Sequence, residues 1–414
     1  MGVDLSCEWM SLKIKSPLVV ASLTPLSNAR IKEHIAFFET AVSHGAGAVI
    51  LPSINPERHG APEINEERVE AYVIDAGLSN NDHMAFSVLG PTVPNIVSVE
   101  YGLSLAGAAK RKFPDIPVIA SVVNLGSAEQ IQDVMRQFSD LQVDGFEMNF
   151  SCPNVDTRNG DVRYSIPEIL TKLRKITGKP ISLKLTPYQD YSLILNDLKG
   201  SIDGLTLSNA YLGLIPPLID HEHFSPFETA DVWAPGGIYG PFERPLTFYK
   251  LFQIRKAAEE LNVDIACAGG IVSGTDAVQA ILLGTSAIEI SSGLQWKSSA
   301  VFKDMNNSIK EYLSQSGQRS IADIKGSALE KIQESADHVL PVMKKRRSVV
   351  NPVKCKGCKD CTCIDRLCFA ISKGKNGKAA IDCELCSGCG WCVKMCRFGA
   401  ISFKYDEDSS RFNG

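Results

Sequence analysis

The chain has 414 residues, carries 43 Lys and Arg against 47 Asp and Glu for a net charge of −4, and is 44% hydrophobic and 22% charged. That length exceeds one ordinary domain, and the balance is that of a folded soluble protein, which excludes a disordered chain and a broadly basic nucleic-acid surface. No apolar run reaches membrane-spanning length and no charged-then-apolar leader opens the chain, so a cytoplasmic protein with no membrane partner is expected.

From the N-terminus, Met1-Gly2 with Ser6 formally fits a myristoylation pattern, but the apolar residues that follow read as a first strand. Strand-length apolar runs then recur at Leu18–Ser22, Ala48–Pro52, Pro117–Val122, Gly145–Asn149, Ile181–Thr186, Gly204–Asn209, Asp264–Ala268 and Ala287–Ser291. Helical period fills Asn28–Ser43, Ile131–Leu141, Ile166–Ile176, Leu246–Leu261 and Gly274–Leu283 between them. Strands apolar on both faces and alternating with helices predict a parallel sheet covered by helices. Eight such units favour a closed TIM (β/α)8 barrel over an open sheet, here across residues 1–317. Two long insertions, Ser53–Phe113 and Tyr211–Tyr239, each follow a strand and so belong to the face where barrel enzymes place their sites. In the second, His221 and His223 make an incomplete metal-ligand set and read as a solvated loop. Phe224, Phe227 and Trp233 beside them could form a lid. Residues 318–350, with Lys344-Lys345-Arg346-Arg347, read as a solvated linker.

Ten of the thirteen cysteines fall between Cys355 and Cys396. Cys386, Cys389, Cys392 and Cys396 follow C-x2-C-x2-C-x3-C, the run that holds a [4Fe–4S] cluster. An earlier run is irregular: Cys355, Cys358 and Cys361 keep the spacing, but position 365 is Asp, and Cys363 and Cys368 compete to replace it. In two-cluster ferredoxins the fourth cysteine of each run serves the other cluster. The expected sets are therefore Cys355, Cys358, Cys361 and Cys396, and Cys368, Cys386, Cys389 and Cys392, with Cys363 able to exchange with Cys361. Zinc is the alternative for such spacings, and two overlapping runs argue against it. Ala370-Ile371 and Ala400-Ile401 stand at matching places, an internal duplication that suits a bacterial-type two-[4Fe–4S] ferredoxin domain over 351–414. Cysteines clustered for metal imply a reducing compartment. No G-x-G-x-x-G lies between a strand and a helix, since Gly45-Ala46-Gly47 precedes a strand, so no nicotinamide module is expected.

Asn149-Phe150-Ser151-Cys152-Pro153-Asn154, at the end of the fourth strand, resembles the N-x-S-C-P-[NH] loop of the dihydroorotate and dihydropyrimidine dehydrogenase family. The resemblance runs from about Leu18 to Leu294 and continues into the tail. Barrel plus two-cluster tail is the arrangement of the bacterial dihydropyrimidine dehydrogenase catalytic subunits. The resemblance implies FMN and a proton-carrying Cys152, whose thiol, with an ordinary pKa of ~8.5, can serve near neutral pH. The alternative, a buried core thiol such as Cys267, fits a strand end less well. Ala21 and Ser22 would lie along the flavin, and Lys184 would place a cation at its pyrimidine edge, unless it sits in a structural ion pair. Gly269 and Gly270 after strand seven, with Ser291 and Ser292 after strand eight, would supply backbone N–H groups to the phosphate. Gly236 to Gly240, followed by Arg244-Pro245, resembles the family's G-G-x-S-G…R-P stretch, with Tyr239 replacing the serine and Gly240 at the cofactor. Asn95, Asn149, Asn154 and Asn209 would meet a planar heterocycle, since each amide offers both donor and acceptor; Asn149 and Asn209 also touch flavin in the family.

Two positions depart from the family. Pro52 stands where a lysine is usual, and Ala210 where a serine or threonine hydroxyl is usual. The expected activity is reduction or oxidation of a ring C=C bond of a pyrimidine or related cyclic amide. Electrons would pass through the clusters to an FAD/NAD(P)H-dependent subunit, a soluble ferredoxin or a flavodoxin, in a homo- or hetero-oligomer. A dihydroorotate dehydrogenase-like enzyme and a non-catalytic electron-transfer subunit are the alternatives. A dihydrouridine synthase acting on RNA is opposed by the acidic balance and the tail.

Overall fold

The computed structural model describes residues 2–24, 29–62, 71–75, 85–89, 96–123, 125–151, 162–188, 195–214, 217, 219, 235–339, 346–358, 360–362 and 367–405. The chain divides into two compact units, 1–329 and 330–414.

In the first unit all eight predicted strands form, as β1 (Leu18–Val20), β2 (Ala48–Ile50), β3 (Val118–Val123), β4 (Gly145–Asn149), β5 (Ile181–Lys184), β6 (Gly204–Leu207), β7 (Asp264–Cys267) and β8 (Ala287–Ile290). Every neighbouring pair is parallel, and the sheet closes where β8 meets β1, Ile288 opposite Leu18. Nearly every strand residue is buried, because one face packs into the barrel and the other against helices. Each buried aliphatic side chain contributes roughly 1.5–3 kcal/mol. The surrounding helices include α1 (Ile31–Ser43), α2 (Val99–Lys112), α3 (Ala128–Asp140), α4 (Val162–Arg174), α5 (Arg244–Leu261), α6 (Gly274–Leu282), α7 (Ser292–Lys297) and α8 (Ala300–Gln315).

A hairpin of Cys7–Trp9 and Leu12–Ile14 plugs the amino end of the barrel. Its Trp9, Met10 and Ile14 pack on Val19, Ala48, Ile119, Ala266 and Ala287, and the Met10 N–H donates to Asp264 at 2.7 Å. The opposite, carboxyl end is left for chemistry. There the two insertions share one antiparallel sheet: Ala71–Asp75 pairs with Ala85–Leu89, then Gly236–Tyr239, then Tyr211–Gly213.

Pro52 marks a break in the ladder. β2 pairs with β3 through Val49 and Ile50, and beyond the proline Ser53–Ile54 pairs with Ile96–Val97, with Ile54 opposite Val122. A proline contributes no N–H to a ladder; across it the chain slips by one residue against β3 and exchanges β1 for Ile96–Val97 on its other side.

The linker expected over 318–350 is shorter than its composition suggested. Ile321 and Ile324 are buried, the Asp4 N–H donates to the Arg319 carbonyl, and Gly326 and Ala328 donate to the carbonyls of Ile281 and Leu282. Those apolar and backbone contacts hold the first part to the barrel unit. At the other end Arg346–Val350 is a strand paired antiparallel with Ile401–Tyr405, so Arg346 and Arg347 are not solvated connector. The Arg346 guanidinium stacks 4.0 Å from the Phe403 ring. Lys344 and Lys345 lie outside the described residues. The second unit adds the pair Ile371–Lys373 with Ala379–Ile381, a short helix Trp391–Met395, and a small core of Cys361, Ile371, Cys392 and Ile401.

Candidate active site

An open cavity sits at the carboxyl ends of the barrel strands. Ala21 and Ser22 after β1, Asn149 ending β4, Lys184 ending β5, Asn209 after β6, Gly269 and Gly270 after β7, and Ser291 and Ser292 after β8 all line it. These nine positions come from six chain segments, and only the closure of the barrel brings them together. Gly240 does not line the cavity but packs directly behind it. A side chain on Gly270 would lie 2.8 Å from the Gly240 carbonyl and 2.5 Å from the Arg244 N, and both glycines have positive φ. Only glycine lets the β7 loop and the Gly240–Arg244 turn approach so closely.

Below the cavity runs a buried polar network. Ser22 and Ser53 share a hydrogen bond at 3.0 Å, as do Ser53 and Ser121. Ser121 donates to Glu147 at 3.1 Å. Lys184 Nζ lies 2.7 Å from a Glu289 oxygen and 3.5 Å from Glu147. Thr206 donates to Glu289 at 2.9 Å and shares a hydrogen bond with Ser182. Lys184 is thus both a cavity residue and an ion-pair partner, so it is not the free cation that the sequence suggested. Burial and the neighbouring Glu289 charge push the Glu147 carboxyl up to about 8, and the two carboxylates hold the Lys184 ammonium in its charged form.

A second network positions the asparagines. Asn149 Nδ2 donates to Ser53 at 3.0 Å, and Asn209 Nδ2 donates to Asn149 Oδ1 at 3.2 Å and to Ser151 at 3.1 Å. Ser151 Oγ donates in turn to Asn149 Oδ1 at 3.1 Å. Ser53, directly after Pro52, therefore occupies the wall of the cavity and ties β1, β3 and β4 together. Cys152, Asn154 and Asn95 lie outside the described residues, as do His221, His223, Phe224, Phe227 and Trp233.

Sequence reasoning missed Ser53, Ser208, Glu243 and Glu289, all of which line the cavity. Glu289 carried a usable signal, a charge inside an apolar strand. Glu243 sits in a short turn, and nothing local marks it as buried.

In the second unit, Cys355, Cys358, Cys361 and Cys396 line one hollow, and Cys368, Cys386, Cys389 and Cys392 line another. Cys363 lies outside the described residues. Cys383 is exposed and lines neither. Among the described residues no three His, Cys, Asp or Glu side chains converge on a point that one metal ion could fill.

Closed parallel barrel and strand-end polar cavity together define a (β/α)8 barrel enzyme with its site at the carboxyl face. The pattern of the dihydroorotate dehydrogenase family matches residues 58–313, more than half of the chain. The chain belongs to that family, and is accordingly an oxidoreductase acting on a CH–CH bond. It is 28% identical over 336 residues to the catalytic subunit of dihydroorotate dehydrogenase B (NAD(+)) of Pyrococcus horikoshii, covering 78% of this chain and 98% of that protein. The protein of the same name from Thermococcus kodakarensis is 27% identical over 329 residues, 79% of this chain and 98% of the relative. That of Alkaliphilus metalliredigens is 29% identical over 238 residues, 55% and 76%. These relatives carry the dihydroorotate name, which shifts the balance from the dihydropyrimidine branch suggested by the tail toward the alternative. The cysteine-rich tail lies outside the matched span.

Proposed function

We propose that the chain is an FMN- and iron–sulfur-dependent dehydrogenase that oxidises or reduces the ring CH–CH bond of a dihydroorotate-type substrate. The observation that carries this reading is the single cavity lined by Ala21, Ser22, Asn149, Lys184, Asn209, Gly269, Gly270, Ser291 and Ser292. The donors fit FMN in kind: exposed backbone at Gly269-Gly270 and Ser291-Ser292 for a phosphate, and a lysine and amides for a flavin ring. When bound, FMN would supply two-electron hydride chemistry and release electrons singly. Asn149, Asn209 and Asn154, with Asn95, would orient the ring through its N–H and C=O groups. The Cys152 sulfur would take or give the proton at the ring carbon next to the one exchanging hydride. The Asn149–Asn209–Ser151 bonds preorganise the strand end from which the Cys152 loop departs.

The two cysteine hollows support two clusters with the ligand sets read from spacing, and Cys361 is supported as a ligand because it shares a hollow with Cys355, Cys358 and Cys396. A tetrahedral zinc needs four sulfurs converging on one ion, whereas in a [4Fe–4S] cube each iron takes one thiolate and the sulfurs stand apart. The relatives are named as catalytic subunits, which supports a separate electron-carrying partner.

A second reading, an uncharged dihydropyrimidine as substrate, is favoured by charge. Among the described cavity residues Lys184 is the one cation, and two glutamates neutralise it, while Pro52 replaces the lysine of the family pattern. A substrate carboxylate has no unpaired partner among them. Anaerobic reduction of the bound flavin by dihydroorotate, dihydrouracil and related lactams tests both readings. Bleaching by dihydroorotate supports the first, bleaching by dihydrouracil alone the second, and no bleaching by any of them supports a non-catalytic electron-transfer subunit.

A further inference from the structure

The Gly240–Arg244 turn contributes one side chain to the cavity that no part of the proposed reaction uses. Glu243 is buried, with 2% of its surface exposed, and lines the cavity beside Ser208, Asn209, Tyr239 and Gly269. Its two oxygens are in different situations. Oε2 accepts from the Gly240 N–H at 3.3 Å, and the Tyr211 backbone also faces the carboxyl. Oε1 is fully buried and, among the described residues, has no hydrogen-bond partner. A side chain on Gly269 would come within 3.5 Å of Oε2, so the carboxyl lies against the glycine loop.

We infer that Glu243 is a binding residue for the polar tail of the flavin, donating a hydrogen bond from Oε1 to an oxygen of the ribityl phosphate. This rests on the FMN reading above. An orphaned buried oxygen destabilises the fold unless a ligand completes it. The Gly240 N–H already faces Oε2, so a proton on this carboxyl belongs on the unpartnered Oε1 of this cavity-lining side chain. Burial pushes the carboxyl up to about 8, so it carries that proton at neutral pH. Once ionised it offers a negative charge to a negatively charged tail, and the contact turns from attractive to repulsive.

The nearest cations are paired, and Glu147, which changes charge in the same range, faces Lys184 on the cavity floor, so the Glu243→Gln comparison below separates its effect from that of Glu243. Arg244 is engaged by Asp276 of α6, and Lys184 by Glu289. The Tyr211 phenol is raised above its ordinary range by burial and by the Glu243 charge itself, and Tyr239 stands on the neighbouring strand. A phosphate monoester completes its second ionisation near pH ~6, below the Glu243 transition.

The test is FMN affinity, read from quenching of free-flavin fluorescence on titration into full-length protein stripped of flavin, between pH 6.5 and 9.5. Wild type is expected to weaken by about tenfold or more across that range, as one charge-assisted bond is lost and repulsion appears. Glu243→Gln keeps a donor but cannot ionise, so it should bind with a flat profile. Glu243→Leu removes the donor and should bind about tenfold more weakly than wild type at pH 6.5. A pH dependence seen with FMN but not riboflavin assigns the accepted oxygen to the phosphate, and one seen with both assigns it to the ribityl chain. Superimposable profiles for wild type and Glu243→Gln, or a Glu243→Leu protein as tight as wild type, overturn the inference while leaving flavin binding intact. Absence of flavin binding by wild type at every pH removes the FMN reading itself and this inference with it.

Discussion

Lys184 is the cation shared by the buried Glu147 and Glu289 at the floor of the cavity. Removing one partner of a buried ion pair strands the others, typically at about 3–5 kcal/mol. Lys184→Met is therefore expected to lower the urea midpoint sharply at pH 8 and less at pH 6, where the orphaned carboxyls take up protons. Glu147 gives the sign of the wild-type pH dependence. Its folded pKa is raised from 4.5 to about 8, so the native state binds more protons than the unfolded chain between those values. Stability should be greatest toward the acidic end of that window and fall as pH rises through it. Glu147→Gln should flatten that slope in thermal melts at pH 5 to 8.5. For the chemistry, Cys152→Ala should retain flavin yet lose about 10²–10⁴-fold in the rate of anaerobic flavin reduction by substrate. An unchanged rate would remove this thiol from the proton transfer.

At the scale of elements, the β7 loop and the turn before α5 act as a pair whose spacing only glycine permits. Gly270→Ala would push a methyl group into the Arg244 backbone, and its positive φ adds strain of order 1–3 kcal/mol. Weakened FMN retention on gel filtration, with β-barrel ellipticity preserved, is the expected signature. The strands themselves were legible in sequence because both faces are buried, so runs such as Val118–Val123 are apolar without alternation. Gly269 and Gly270, with Ser291 and Ser292, were legible as cavity residues because they follow strands seven and eight. Ser53 was not, since its role depends on the one-residue slip against β3 between Ile50 and Ile54. Glu243 and Glu289 were not, because a carboxyl in a short turn or a single strand shows its burial only once the barrel closes.

For the whole molecule, the two compact units would divide the labour of the proposed reaction, with hydride exchange assigned to residues 1–329 and single-electron relay to residues 330–414. Cys389 lines the second hollow and belongs to the regular cysteine run. Cys389→Ser should cut iron content by about half if two clusters are bound. The flavin should still bleach with substrate, while reduction of a one-electron acceptor should slow. Iron unchanged at the wild-type level would remove Cys389 from the ligand set.

The hydrogen-bonded chain from Ser22 through Ser53, Ser121, Glu147 and Lys184 to Glu289, Thr206 and Ser182 links residues of the first, third, fourth, fifth, sixth and eighth staves of the barrel. Such a hoop makes distant positions energetically interdependent. Ser121→Ala and Glu289→Gln touch the same relay on either side of Glu147 and Lys184, so their combined effect should differ from the sum of the two. Designers who aim to retune this site at one stave must therefore expect the far side of the hoop to answer.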